Sequence, residues 1–100
     1  MYIPEKQYQN STASRVLAEK LLPLFDESYN QSTLPVEKGG IIESQKLIAL
    51  GRYGTLDVPT VLIETGFIYE PIFATSTFET VTSKTMADTI YRGLIFYLFP

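Results

Sequence analysis

Apolar residues at helical spacing mark the first predicted element, which starts after residue 10. They are Ala13, Val16, Leu17, Leu21, Leu24 and Phe25. Because they recur every three or four residues, they predict an amphipathic helix, and Asn10 or Ser11 can cap its start. Pro23 lies inside this pattern. Since proline donates no backbone hydrogen bond, we expect it to kink the helix or to end it near Leu22.

Three short apolar runs predict strands, at residues 41–42, 47–50 and 58–63. The third gives the clearest signal, because its near-continuous β-branched and aliphatic character is typical of a strand buried on both faces. The first ten residues look polar and irregular, apart from an apolar start at Tyr2 and Ile3. The pattern therefore predicts an α/β protein with about three short strands.

A second helix is predicted from Thr82 or Ser83 to the end of the printed sequence. Its apolar face is predicted to contain Met86, Ala87, Ile90, Leu94 and Leu98. The last turns, residues 94–99, are apolar all round. A helix end of this kind is usually buried on several sides or packed against a partner.

Composition narrows the class of protein. One hundred residues, 45% apolar and 19% charged, indicate one small globular domain or part of a larger one. The net charge of −3, without a cluster of Lys and Arg, argues against nucleic acid as a partner. The longest apolar stretch, residues 93–99, is far shorter than the roughly 20 residues of a membrane span. The first residues lack the basic and apolar regions of a signal peptide, so we expect no membrane or leader segment here.

Glu64 is the strongest candidate for chemistry. It ends the apolar run 58–63, and Gly66 follows two residues later, so the carboxylate is well placed to line a crevice at the edge of a sheet. Partial burial there would raise its pKa towards the value that a general base or acid needs near neutrality. The alternative is a strand-end glutamate that points into solvent or pairs with Arg52.

Two weaker candidates surround Glu64. Residues 51–54, Gly-Arg-Tyr-Gly, are compatible with an anion-binding turn, although an ordinary hairpin or loop is the commoner use of such a sequence. Nearby aromatic residues could instead form the floor of a carbohydrate or peptide groove, although packing is their commoner role. These aromatic residues are Tyr53, Phe67, Tyr69 and Phe73.

Residues 58–68 read Val-Pro-Thr-Val-Leu-Ile-Glu-Thr-Gly-Phe-Ile. They resemble the Pro-x-Val-Leu-Val-Glu-x-Gly-Phe-Ile strand of the zinc-dependent N-acetylmuramoyl-L-alanine amidases, which are cell-wall hydrolases of bacteria and phages. The flanking segments are similar too. Residues 14–18, Ser-x-x-Leu-Ala, resemble the helix that precedes this strand, and residues 87–97, Ala-x-x-Ile-x-x-Gly-Leu-x-x-Tyr, resemble the closing helix. Gly40 and Ile41 fit the strand between them, so the resemblance covers nearly the whole chain.

The resemblance implies both a fold and an activity. The fold would be α/β, with part of a mixed central sheet flanked by an N-terminal and a C-terminal helix. The activity would be hydrolysis of peptidoglycan at the amide between N-acetylmuramic acid and L-alanine, outside the cytoplasm, in the cell wall or periplasm. In the family a zinc ion is held by two histidines and a glutamate. Glu64 would serve as general base and then as general acid.

The chain also departs from the family. It contains no histidine and no cysteine, and the family's zinc ligands lie upstream of the matched region. The loop after the motif differs as well, with Tyr69-Glu70-Pro71 where the family often has Ser-Asn-Pro. We therefore expect residues 1–100 to be the C-terminal half of an amidase domain, inactive alone and without zinc of its own.

Two further expectations concern partners. The missing N-terminal half would be one partner, and without it the chain is expected to cover an exposed sheet edge by self-association. The alternative function is a non-catalytic module, derived from an amidase, that binds peptidoglycan or a protein. This module would bind muropeptides without zinc.

Overall fold

In the computed structural model, the described residues are 1–5, 11–35, 38–44, 50, 58–66, 70–76 and 78–100. They contain helices α1 (Ser11–Asp26) and α2 (Ser83–Leu98) and strands β1 (Tyr2–Ile3) and β2 (Ile42–Glu43). A 3₁₀ turn, Pro71–Ala74, and a π turn, Phe78–Thr82, precede α2. The predicted α/β fold, with an N-terminal and a C-terminal helix, is confirmed. The predicted strand at 47–50 lies outside the described residues except for Leu50, which is buried.

Strand β1 lies at the centre of a small mixed sheet. On one side it pairs in parallel with β2, with Tyr2 opposite Ile42. On the other side Tyr2 forms an antiparallel bridge with Leu62, through N–H···O bonds of 2.8 and 2.9 Å. The apolar start at Tyr2 and Ile3 is therefore a strand, whereas the rest of the first ten residues lies outside the described residues from residue 6 onwards. A two-residue strand carries no periodic signal, and its hydrogen-bonding partners come from distant parts of the chain.

The segment 58–63 is not the doubly buried strand that its sequence predicts. Its residues are partly exposed, and Val58 is 51% exposed. Pro59 has no N–H to donate, and the N–H of Thr60 bonds to a side chain of α1 rather than to a neighbouring strand. Among the described residues, Leu62 is the one residue of this segment that pairs with β1, through a single bridge.

Helix α1 continues through Pro23 to Asp26, so of the two predicted effects of this proline, a kink or an end near Leu22, the helix end does not occur. An internal proline removes one backbone hydrogen bond. Leu24 and Phe25, which follow Pro23, are both buried, and their burial stabilises the last turn. Val16, which the pattern placed on the buried face, is exposed.

The core lies between the two helices. Leu17, Leu21 and Phe25 of α1 form its buried cluster. Gly93 of α2 packs directly against the side chain of Leu21, so closely that a Cβ at position 93 would overlap it. At the rim, Arg92 donates a hydrogen bond of 3.3 Å to Glu27, just beyond the end of α1. The glycine therefore permits the close approach of the helices.

The buried face of α2 differs from the predicted one. We name it the inner seam, and its residues are Met86, Ile90, Gly93 and Tyr97. The predicted face mixed Met86 and Ile90 with residues that are exposed. These exposed residues are Ala87, Leu94 and Leu98. Neither α1 nor α2 has the length and apolar character to cross a membrane, a finding that covers the described part of the chain.

Candidate functional site

A buried serine on α1 positions the segment that ends at Glu64. Ser14 is 0% exposed, and its Oγ accepts a hydrogen bond of 2.8 Å from the N–H of Thr60. Two residues further on, the Leu62 bridge ties the same segment to β1. The backbone is therefore fixed at two points, one by a helix and one by the sheet, immediately before Glu64.

Glu64 lies on the wall of a cleft of about 560 Å³. The cleft is bounded by β1, the end of α1, the loop that follows α1, and residues 63–66. The Glu64 side chain is exposed, so the crevice position that the sequence predicts is present, whereas the expected burial is absent from this chain. A carboxylate in this position can reach both water and a ligand in the cleft.

The amino group of Met1 interacts electrostatically with Glu64. Met1 lines the same cleft, and its amino group donates a hydrogen bond of 2.8 Å to the carbonyl oxygen of Gly40. Burial lowers the pKa of the Met1 amino group, and the negative charge of Glu64 opposes this shift. The charge of Glu64 is therefore felt by another group that lines the cleft.

Side-chain and backbone bonds hold the loop after α1 that also lines the cleft. Gln31 donates to both carboxylate oxygens of Asp26, at 3.0 and 2.9 Å. The N–H of Gly39 bonds to the carbonyl of Ser32 at 3.0 Å. Gly40 has φ of 86°, a left-handed conformation that glycine adopts without strain. These contacts shape the part of the cleft that the loop forms.

Gly66, the glycine of the motif, is required by close packing rather than by its backbone conformation. A Cβ at position 66 would lie 2.5 Å from the ring of Phe73 and 3.0 Å from Oε1 of Glu70. Glu70 is half-buried and also lines the cleft. The glycine therefore lets the 3₁₀ turn approach the end of the Glu64 segment and brings a second carboxylate to the same cleft.

The aromatic groove considered as a candidate in the sequence lies mostly outside the described residues, because Tyr53, Phe67 and Tyr69 are not among them. Arg52 and the turn at 51–54 are also outside the described residues. The fourth aromatic residue, Phe73, packs beside Gly66. The aromatic side chains that do line the cleft are Tyr2, Phe25 and Tyr29. The rings of Phe25 and Tyr29 are 5.9 Å apart and tilted by 39°.

Sequence reasoning missed Asp26, Lys38 and Glu70 as cleft residues. For Asp26 the sequence did contain a signal, because a polar residue directly after the buried Leu24 and Phe25 is expected at the surface where the helix ends. Its partner Gln31 follows five residues later. Lys38 and Glu70 stand in loops without a periodic pattern. Their positions depend on how the chain folds back, and local spacing does not encode this.

The side chains that most often ligate zinc are missing from this chain. The chain contains neither histidine nor cysteine. Among the described residues, no group of three acidic side chains is arranged to hold a metal ion. The residues present in this chain therefore do not fit the zinc site that the resemblance implies. They offer carboxylates for proton transfer and polar or aromatic surfaces for binding.

Comparisons with protein-family models, with curated proteins and with solved structures found no match.

Proposed function

We propose that this chain is the C-terminal portion of a zinc-dependent N-acetylmuramoyl-L-alanine amidase domain and that Glu64 is its proton-transfer residue. The observation that carries the proposal is the position of Glu64 on the cleft wall. Glu64 is the one ionisable residue in the segment 58–66. It is therefore the residue of this segment that can carry a proton between water and a leaving group.

The contacts between the motif segments also support the proposal. Ser14 of the first segment bonds to Thr60 of the second. Gly93 of the third packs against Leu21, on the same helix as the first. Three stretches that are separate in sequence therefore meet around one core. The three segments that resemble the family therefore belong to one packed unit, as expected if the resemblance reflects a shared fold.

In the proposed reaction, the substrate is the amide that joins N-acetylmuramic acid to L-alanine in peptidoglycan. Glu64 takes a proton from the attacking water and returns it to the leaving nitrogen of L-alanine. A positioned general acid–base group of this kind contributes about 10²–10⁴-fold to a rate. The aromatic and polar side chains of the cleft would bind the stem peptide, and the parent protein would act outside the cytoplasm, in the cell wall or periplasm.

In the complete domain, zinc would be held by ligands in the upstream half, because the side chains of this chain do not fit the ion. This half alone is therefore expected to be inactive. Isolated chain incubated with purified peptidoglycan and zinc should release no free stem peptide, as measured by mass spectrometry. Release of stem peptide at an enzymatic rate would contradict this division of the site.

The decisive variant is Glu64→Gln in the protein that contains both halves. It should lose about 10²–10⁴-fold in turnover while its zinc content stays unchanged, because glutamine keeps the size of the side chain but cannot carry a proton between water and nitrogen. Muropeptide hydrolysis followed by liquid chromatography measures the first quantity, and elemental analysis measures the second.

Glu70→Gln is the matched control, since Glu70 is a carboxylate on the same cleft. It should keep turnover within about tenfold of the parent, because a residue that only lines the cleft does not carry the transferred proton. Near-parental activity of Glu64→Gln, or equal losses in the two variants, would refute the role of Glu64.

The cleft also favours a second function, a non-catalytic module that binds peptidoglycan. Its wall combines Tyr2 and Tyr29 with carboxylates, and such a surface can bind a ligand without a metal. Calorimetry should then show saturable binding of soluble muropeptides in the presence of a chelator. Tyr29→Ala should weaken that binding at least tenfold, whereas Leu34→Ala, an exposed apolar change on the same loop, should weaken it less. Absence of saturable binding would exclude the module.

A further inference from the structure

The loop that follows α1 gives part of the cleft a neutral lining. Residues 29–33, Tyr-Asn-Gln-Ser-Thr, all line the cleft, and none of them is charged near neutral pH. The carboxylates of Glu64 and Glu70 come from other segments. The cleft therefore combines a continuous run of neutral hydrogen-bonding side chains with the carboxylate that we assign to proton transfer.

Tyr29 supplies the aromatic surface of this run. Its side chain is half-buried and packs against the core cluster of α1, where its ring contacts that of Phe25. The core thus holds Tyr29 in place while the residue still lines the cleft. The face of an aromatic ring carries partial negative charge and attracts groups with partial positive charge, such as the C–H groups on the face of a sugar ring.

Gln31 is held in position before any ligand arrives. Its amide nitrogen donates to both carboxylate oxygens of Asp26. On its other side Gly39 lies so close that a Cβ at position 39 would overlap the Gln31 side chain. A side chain that is fixed in advance loses little conformational entropy when it binds a ligand. Each oxygen of Asp26 can still accept a further hydrogen bond, because a carboxylate oxygen has two lone pairs.

Two neighbours of Gln31 add donors and acceptors. Asn30 is exposed, and its side chain makes no hydrogen bond within the described part of the chain. The Oγ of Ser32 accepts a hydrogen bond of 3.2 Å from the N–H of Leu34. Its own proton can therefore be donated to a ligand. An amide and a hydroxyl of this kind offer both a donor and an acceptor at short spacing.

This combination matches the chemistry of a saccharide. A sugar ring has C–H groups on its faces and hydroxyl groups around its edge, and each hydroxyl both donates and accepts. Its binding site needs an aromatic face next to neutral groups of the same dual character, which residues 29–33 provide. The cleft volume of about 560 Å³ lies within the range of about 300–1,000 Å³ that is typical of ligand pockets.

We infer that residues 29–33 form a saccharide subsite, in which Tyr29 packs on the sugar ring and Asn30, Gln31 and Ser32 bond to its polar groups. The identity of the sugar, N-acetylmuramic acid, rests on the proposed function. The amide cleaved in that function joins this sugar to the peptide, so the sugar would occupy the loop side of the cleft and the amide would lie at Glu64. The rest of the cleft, which includes Tyr2 and Glu70, remains for the stem peptide.

Titration of the 100-residue chain with diacetylchitobiose, followed by NMR, tests the subsite. This neutral disaccharide of N-acetylglucosamine has the ring and acetamido groups of the substrate sugar without a carboxylate that Glu64 would repel. The expected result is saturable binding with a Kd of about 0.1–10 mM, with shifts of the side-chain amide signals of Asn30 and Gln31. Free stem peptide should leave these two signals in place.

Two variants remove one part of the subsite each. Tyr29→Leu keeps an apolar side chain against the core but removes the ring, and it should weaken disaccharide binding at least fivefold. Tyr29→Phe keeps the ring and should stay within about threefold of the parent. Asn30→Ala should weaken binding about 2–10-fold, as expected for one lost hydrogen bond. Thr12→Ala, an exposed change on α1 away from the cleft, is the matched control and should have no effect. Circular dichroism checks that each variant folds.

Three results would overturn the inference. One is the absence of saturable disaccharide binding at about 50 mM ligand. Another is parental affinity in a folded Tyr29→Leu variant. The third is a shift of the Asn30 and Gln31 signals by free stem peptide rather than by the disaccharide, which would assign this part of the cleft to the peptide. Failure of the proposed function has a different signature, since it appears as near-parental hydrolysis by Glu64→Gln in the complete domain, whatever the disaccharide does.

Discussion

Replacement of Ser14 by alanine tests how α1 holds the segment that ends at Glu64. The substitution keeps the Cβ and removes the Oγ that accepts the hydrogen bond from the N–H of Thr60. Because Ser14 is fully buried, water cannot take the place of the lost oxygen without entering the core. The N–H of Thr60 would therefore lose its side-chain acceptor.

The magnitude follows from two opposing effects. Loss of the partner of a buried donor costs about 1–3 kcal/mol. Alanine has a higher helix propensity than serine, which returns about 0.5 kcal/mol. The net loss for Ser14→Ala is therefore about 0.5–2.5 kcal/mol. For a domain of this size, that loss lowers the Tm by roughly 2–20 °C.

Thermal and urea unfolding followed by circular dichroism measure the change, with Thr12→Ala as the control. Thr12 is on the same helix and exposed, so the control should be neutral or slightly stabilising. Amide exchange at Thr60 supplies a local readout, and it should accelerate in Ser14→Ala only. If Ser14→Ala were as stable as Thr12→Ala and exchange at Thr60 were unchanged, the assigned role of this hydrogen bond would be refuted.

Three further predictions concern packing and charge pairs in the fold. Gly93→Ala should destabilise the chain by about 1 kcal/mol in urea unfolding, because the clash with Leu21 outweighs the gain in helix propensity. The double variant with Leu21→Ala should lose less stability than the sum of the two single variants, and strict additivity would argue against the contact. Gly40→Ala should cost about 1–2 kcal/mol in the same assay because alanine is strained at φ of 86°, and an unchanged midpoint would count against this turn geometry. Arg15→Ala should lower the free energy of unfolding by less than about 1 kcal/mol, because the 2.5 Å ion pair of Arg15 with Glu43 is largely exposed. This difference should disappear in high salt, which screens exposed charges. A larger difference that persists in salt would show that Arg15 acts by packing.

The two helices were predictable because their signal is local. Apolar residues at three- and four-residue spacing predicted α1 and α2, and the start of α2 at Ser83 agrees with the prediction. Pro23 does not end α1 at Leu22, one of the two effects predicted from its unfavourable local contribution. The burial of Leu24 and Phe25 after it, which depends on α2 and the sheet, offsets that effect.

The choice of the buried face of α2 was not predictable from spacing. Met86 and Ile90 belong to one heptad seam and Ala87 and Leu94 to another, and the two are similarly apolar. Gly93 decides which of the two faces packs against α1, because the helices can approach closely only at a residue that lacks a side chain. This role becomes visible only when Leu21 is known to lie opposite.

Glu64 shows the same division between local and tertiary information. The residues next to it, an apolar run before it and Gly66 after it, were enough to identify it from the sequence as a candidate for proton transfer. Its exposure on a cleft depends on the Ser14 bond and the Leu62 bridge. Both contacts join residues more than forty positions apart. Hydrophobic periodicity reports on the next turn of the chain, whereas a cleft is made by segments that meet only after folding.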